Sequence, residues 1–338
     1  MNALQRLNAK RNGQPTDQPL FCPAIYEHKA RLIGKRPTDI AQDVDLLAKA
    51  VLAEYEIYKP DMLTVGVDVY NIEAEALGCR VHFPDTIDAV PVITERALTS
   101  LGDSEHLPKI DPEKTARMPL MLQAAEVINK KVGGEVLVRG SVSGPFSMAA
   151  ELMGIEPALM AMLTEPESFR SLLDLCTMVA IDYSTAFIKR GLSVCIFDSQ
   201  ASPPLLSPDL YEDFILPGIV KLNKACKDAG CALTEYVIGG KTDAIAAMMM
   251  QTGCDVILSD YPSDAAAFIN NASSGQLIRR NISPILVEKG DSGELRQQIE
   301  QVKILSATHP NVIIGTGVLS YNVPTENILT VKELCLNT

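Results

Sequence analysis

The sequence predicts an α/β chain that closes into a single (β/α)8 TIM barrel with an N-terminal extension and helical insertions. Three features point there. Eight short apolar runs alternate with longer segments of helical period, the pattern of parallel strands joined by crossover helices. Polar residues stand where those runs end, as they do at the working face of such a barrel. No internal repeat, low-complexity tract or Gly/Ser linker divides the 338 residues, which favours one domain.

Residues 1–19 carry no strand pattern and are expected to form an arm or short helix ahead of a barrel over residues 20–338. The strand-like runs are Leu20–Ile25 (LFCPAI), Met62–Val67 (MLTVGV), Glu135–Arg139 (EVLVR), Ser193–Phe197 (SVCIF), Ala232–Ile238 (ALTEYVI), Asp255–Ser259 (DVILS), Ser283–Val287 (SPILV) and Asn311–Gly315 (NVIIG). The helix signals fall between them. Asp111-Pro112-Glu113 starts one helix, and Thr164-Glu165-Pro166-Glu167 reads as a capping box with an early proline, opening a helix that Gly191 ends. Ser207-Pro208-Asp209 caps another, running to Gly230 with Pro217 as an internal break. Thr242 to Gln251 fills the gap between the fifth and sixth runs.

Composition excludes several function classes. Lys plus Arg is 30 against 42 for Asp plus Glu, a net charge of −12, so no global positive field exists to hold a nucleic acid. The longest apolar runs, such as Ala244–Met250, fall short of the ~20 residues a membrane span needs, and the N-terminus lacks the apolar stretch of a signal peptide, so a cytoplasmic protein without a membrane partner is expected. The eight cysteines form no C-x-x-C pair, which reads as buried thiols in a reducing compartment rather than a disulfide framework. Methionines cluster at Met148–Met162 and Met248–Met250, either as core filling or as an adaptable apolar wall.

The residues at the run ends are the site candidates. They are Tyr26 and His28 after the first, Asp68 and Tyr70 after the second, Arg139 and Ser141 at the third, and Asp198 and Ser199 at the fourth. Glu235 and Tyr236 lie in the fifth, Asp260 and Tyr261 follow the sixth, Asn281 precedes the seventh and Thr316 follows the eighth. A carboxylate near a barrel mouth is solvated, paired or used, which singles out Asp68 and Asp198; the plainer alternative is that each caps the helix that follows. Of four histidines only His28 falls at a strand end, and with Cys22 it lacks the second Cys/His pair of a tetrahedral metal site. There is no G-x-x-x-x-G-K-[ST] loop, no G-x-S-x-G elbow and no G-x-G-x-x-G after a strand.

Longer segments carry a resemblance. GSVSGPFSMAA (Gly140–Ala150), IEAEALGC (Ile72–Cys79), FDSQASPPLLSPDLYEDFILP (Phe197–Pro217) and GTGV…VPTENI (Gly315–Ile328) resemble the uroporphyrinogen decarboxylase superfamily, which includes corrinoid-dependent methyltransferases. The resemblance implies a barrel with its site at the C-terminal mouth. Asp68 matches the aspartate that holds the pyrrole N–H groups in the decarboxylases, and Ser199 the serine of their FDS motif. Their M-R-Q-A-G-R-Y arginine clamp is here CPAIYEHKARL (Cys22–Leu32), with only a displaced Arg31, and eight substrate carboxylates in an acidic protein without that clamp would repel its walls.

His28–Gly34 and AEALGC are closer to the methyltransferase branch. Its His-x-Cys and final Cys zinc ligands fall here on Val237, Gly239 and Thr316, so no metal ligand stands at the family positions. The resemblance therefore implies a methyltransferase of one-carbon metabolism, moving a methyl group between a small ether, amine or pterin substrate and a corrinoid (cobalamin) on a partner protein. Asp68, Asp198, Glu235 and Tyr236 would be the catalytic residues, with Glu235 or Asp198 handling the proton. Tyr26, His28, Tyr70, Ser143, Ser199 and Thr316 would bind substrate. Uroporphyrinogen decarboxylase-like decarboxylation in porphyrin biosynthesis is the alternative, and a non-catalytic corrinoid-binding barrel the third reading.

Overall fold

The computed structural model describes residues 1–203 and 205–336, so Pro204 and the last two residues of the expected barrel segment lie outside it. The strands are β1 (Phe21–Ile25), β2 (Met62–Val65), β3 (Arg80–His82), β4 (Val92–Glu95), β5 (Leu137–Ser143), β6 (Ser193–Phe197), β7 (Thr234–Val237), β8 (Val256–Ser259), β9 (Leu277–Ile282) and β10 (Val312–Leu319). Eight of them form one parallel sheet in the order β1-β10-β9-β8-β7-β6-β5-β2, while β3 and β4 make a separate antiparallel hairpin. The ring closes between β1 and β2 through Asp61. Its N–H donates to Phe21 O at 2.9 Å, its carboxylate accepts from Phe21 N at 2.7 Å, and Arg6 Nε holds that carboxylate at 2.8 Å.

Alternation along each strand sorts side chains into an inner and an outer set. Inside, an apolar layer of Leu20, Cys22, Met62, Leu233, Val256 and Leu277 fills the N-terminal end. Above it lie Arg139, Glu235 and Arg279, and above those Ala24, Tyr26, Cys195, Phe197, Val237 and Leu258. Outside, Tyr236, Ile196, Val138 and Ile257 join the core between sheet and helices. The N-terminal segment is a helix, Ala3–Arg11, whose Leu7 plugs the lower layer; its capping box pairs Asn2 with Gln5. The helix Pro166–Ile188 is 23 residues long and apolar enough to cross a membrane, and 56% of its most apolar stretch is buried inside the molecule. All eight cysteines are free thiols.

Three strand expectations need correction, the last run among them, which continues past Gly315 to Leu319 and so holds Thr316 within the strand. The third run does not stop at Arg139 but continues to Ser143, which puts Arg139 in mid-strand facing inward. Ser283–Val287 is no strand: Ser283 is the N-cap and Pro284 the first residue of a helix to Lys289, the position where proline's missing N–H costs nothing. The strand there is Leu277–Ile282, LIRRNI, whose two consecutive arginines break the apolar pattern. Arg279 points inward onto Glu235, and Arg280 points outward to the carbonyls of Asp260, Tyr261 and Ser263. Asn281 accordingly lies next to the last residue of this strand rather than preceding one. The helix expected from Asp111 begins at Met118, and the break at Pro217 is a π-turn over Tyr211–Ile215 before it.

Candidate active site

A cavity of about 340 Å³ opens at the C-terminal ends of the strands. Tyr26, Phe197, Val237 and Leu258, the uppermost inner layer, form its base, and Val90 and Pro91 from the loop ahead of β4 form part of its wall. Tyr26 and Phe197 meet edge to face, with centroids 5.5 Å apart and an interplanar angle of 84°. Tyr70 is fixed by its hydroxyl, which accepts from Ser199 N–H at 3.2 Å, and Ser199 Oγ accepts from Gly239 N–H at 3.1 Å. Three loops are thereby tied together around one opening.

The charges are placed just as definitely. Glu235 lies fully buried between two guanidinium groups: Arg279 Nε reaches Oε1 at 2.6 Å and Arg139 Nη1 contacts Oε2. Arg139 is further held by Thr64 Oγ1 at 2.7 Å. Of these three side chains Arg279 lines the cavity. Asp68 also lines it; Arg117 Nη2 sits 2.8 Å from Oδ2, and Arg117 in turn holds Glu75 at 2.5 Å. Burial raises the Asp68 pKa while Arg117 opposes the shift. Asp260 is satisfied on both oxygens, by Gly240 N–H at 2.8 Å and by Asn281 Nδ2 at 2.9 Å.

Of the residues singled out from sequence, the cavity gathers Tyr26, Asp68, Tyr70 and Ser199, together with the strand-end residues Asp260 and Asn281. Arg139, Ser141 and Tyr261 do not line it, and six more candidates lie elsewhere, each for a physical reason. Asp198 is fully buried and accepts from Ser147 N–H at 2.7 Å, capping the helix Pro145–Met153 that follows the neighbouring strand. Gly144 must be glycine there, since a Cβ would lie 2.3 Å from Asp198 Cγ. Burial pushes the Asp198 pKa up to about 6. Glu235 is taken up by its two arginines. Tyr236 follows an inward residue and therefore points outward, where its hydroxyl meets that of Tyr211 at 3.1 Å.

His28 is buried, with Nε2 2.8 Å from Tyr58 OH and Nδ1 3.2 Å from Ser320 O; burial lowers its pKa to about 4, so it is neutral. Ser143 donates its N–H to Glu73 Oε1 at 2.7 Å and lies 2.9 Å from Oε2; burial raises the Glu73 pKa to about 7. Thr316 Oγ1 accepts from Ala24 N–H at 3.1 Å, stitching β1 to β10 where pairing is irregular around Pro23. Sequence reading missed Arg279 and Glu27 as cavity residues. Their signals were a basic residue inside a strand, whose period had been assigned six residues too late, and a carboxylate beside the already chosen Tyr26.

A zinc ion does not fit these residues. Val237 is apolar, Gly239 has no side chain and Thr316 Oγ1 is engaged by Ala24; among the described residues no cluster of three His, Cys, Asp or Glu could hold a metal. The substitutes considered from sequence are also committed: Cys22 lies in the lower barrel layer with its thiol pushed up to about 12 by burial, and both nitrogens of His28 are bonded. A polar cleft of about 440 Å³ opens at the opposite end of the barrel. Its Arg11 and Lys227 share Asp255, at 3.2 and 3.4 Å, so it presents a locally compensated surface.

The comparisons with known proteins agree with this architecture. The family model for uroporphyrinogen decarboxylase (URO-D) matches residues 2–336. The chain is 26% identical over 296 residues to a methylcobamide:CoM methyltransferase, MtbA, of Methanosarcina mazei, covering 87% of this chain and 85% of that one. It is 27% identical to the methylcobamide:CoM methyltransferase MtaA of Methanosarcina barkeri, over 73% of this chain and 72% of the relative. A uroporphyrinogen decarboxylase of Trichlorobacter lovleyi is 24% identical, over 86% and 84%. A solved structure of a methyltransferase from Methanosarcina mazei superposes with a TM-score of 0.84 at 21% identity, covering 98% of both chains, which establishes the shared barrel.

Proposed function

The chain belongs to the uroporphyrinogen decarboxylase family, and within it we propose that it is a methyltransferase that moves a methyl group between a small substrate and a corrinoid carried by a separate protein. The observation that carries this reading is the size and charge of the cavity. At about 340 Å³ it lies at the small end of the roughly 300–1,000 Å³ range of ligand pockets, enough for a small molecule and not for a tetrapyrrole. Among the described residues Arg279 is the one cation that lines it, and Arg117 behind Asp68 is already shared with Glu75, too few for a porphyrinogen with eight carboxylates. Methylcobamide:CoM methyltransferases among the relatives support the reading from a separate direction.

A corrinoid presented by a partner protein would meet this cavity at its mouth, where the half-exposed Val318 stands at the rim. Presented there in its reduced form, the corrinoid would supply the nucleophile that accepts a methyl group. This chain's own residues hold the substrate below it. Tyr26 and Phe197 exclude water from the base of the cavity, Ser199 and Tyr70 fix the loops, and Asp68, held by Arg117, is the group placed to receive or give a proton at the heteroatom that loses or gains the methyl. The proton handler is thus Asp68 in place of Glu235 or Asp198.

The test is to mix the protein with reduced cobalamin and a panel of methylated amines, ethers and pterins, following methyl-cobalt formation by visible absorbance. Uroporphyrinogen turnover is assayed alongside. Methylation of the corrinoid without porphyrinogen consumption is the expected result, and porphyrinogen decarboxylation without methyl transfer would overturn it.

A further inference from the structure

Arg279 has a feature that the barrel interior does not use. It is 4% exposed and lines the cavity, and its Nε is engaged by Glu235. Among the described residues its hydrogen bonding and its ion pair run through Nε alone. Two guanidinium groups share one carboxylate in this layer, Arg139 and Arg279 against Glu235, which leaves one uncompensated positive charge beneath the cavity. A planar fork of N–H donors, nine-tenths buried and held from behind, is shaped for bidentate binding of a carboxylate or similar oxyanion.

The lining above Arg279 has the opposite character. Glu27 follows Tyr26 at the end of β1 and lines the same cavity. The basic side chain nearest it in sequence, Lys29, is committed to Glu54 at 3.3 Å. Tyr26, Tyr70 and Phe197 add aromatic rings, whose faces attract cations within roughly 6 Å of the centroid. Asp68 and Asp260 also line the cavity, from the ends of β2 and β8.

We infer that the substrate is a small methylated zwitterion of the betaine class, with its carboxylate on the Arg279 fork and its methylated ammonium among the aromatic rings beside Glu27. This deepens the methyltransferase reading and rests on it for the transfer step, while the binding geometry stands independently. A cationic nitrogen also suits a site without a zinc ligand set. The C–N bond breaks with its electron pair left on nitrogen, a neutral amine departs, and the methyl group passes without that pair to the reduced corrinoid named above. No proton is consumed, so this substrate does not call on the proton handling assigned to Asp68, and no further oxidant or reductant is required.

The experiment is calorimetric titration of the protein alone, with no corrinoid present. The probes are N,N,N-trimethylglycine and its homologues with two and three methylenes. Choline serves as the ligand without the carboxylate, and 3,3-dimethylbutanoate as the uncharged-carbon isostere of the ammonium. At least one betaine is expected to bind, with both single-charge controls about tenfold or more weaker. Glu27→Gln, at a partly exposed position, is expected to erase the preference for the betaine over the isostere. Arg279→Lys, which keeps the charge on Glu235 but loses the fork, is expected to weaken every carboxylate ligand. Equal binding of betaine and isostere, or no binding by any betaine, overturns the inference. Betaine binding without methyl transfer to the corrinoid would sustain it and sink the methyltransferase reading instead.

Discussion

Replacing Glu235 by glutamine removes the single negative charge between two buried guanidinium groups, one of them 2.6 Å away. Glu235 is 0% exposed and Arg139 and Arg279 are 5% and 4%, so water cannot take over the lost role. Breaking a buried pair in this way costs about 3–5 kcal/mol, a large share of the roughly 5–15 kcal/mol that holds a folded protein together. For a domain larger than 250 residues that corresponds to a fall in Tm on the order of 5–10 °C. Glu235→Gln with Arg139→Met restores the native interior charge of one and should recover at least about half of the loss, because contacting residues do not act additively. Thermal unfolding of the wild type and these variants supplies the comparison. Had Glu235 been the proton handler expected from sequence, Glu235→Gln would keep its Tm to within about 1 °C and lose turnover; that outcome would refute the reasoning.

The remaining predictions concern residues that the fold moved away from the cavity. Asp198 titrates at about 6 in the folded chain, above its unfolded value, so the folded state holds the extra proton in between and its stability falls as pH rises through that window. Asp198→Asn should therefore gain on the wild type by on the order of 2 kcal/mol between pH 4 and 7, and parallel curves of Tm against pH would contradict it. Tyr236→Phe should cost about 1 kcal/mol through the lost contact with Tyr211 and leave methyl transfer unchanged; lost turnover at full stability would return Tyr236 to the site. Gly144→Ala places a Cβ 2.3 Å from Asp198 Cγ, and overpacking of this kind costs roughly 1–3 kcal/mol, measurable by urea unfolding; a variant as stable as the wild type would show that the helix entry is looser than described.

Seven of the eight barrel strands were legible because each is buried on both faces and so reads as a continuous apolar run bounded by turns. The eighth, Leu277–Ile282, was hidden by Arg279 and Arg280, charges tolerated in a strand because one meets Glu235 and the other a set of loop carbonyls. A partner 44 positions away in the chain leaves no local mark, and Ser283-Pro284 offered an apolar segment just downstream as a decoy. The same logic explains the site. Strand ends were findable from period and punctuation, which brought in Tyr26, Asp68, Tyr70 and Ser199. Whether a strand-end side chain faces in or out depends on register, and a one-residue difference separates Val237 in the cavity from Tyr236 behind the sheet. Asp198 was chosen as an acid at a strand end, and the capping alternative weighed against it proved the right kind of explanation, although the helix it caps follows a neighbouring strand.

The decisive measurement is the rate of methyl transfer to reduced cobalamin by Val318→Trp. Val318 is 51% exposed at the rim of the cavity, so an indole can be accommodated there without disturbing the buried layers while it narrows the entrance. A rate lowered about tenfold or more at unchanged Tm is the predicted result, since reacting groups must align at close range inside the opening. An unaltered rate at unchanged Tm would contradict the account and put methyl transfer somewhere other than this mouth.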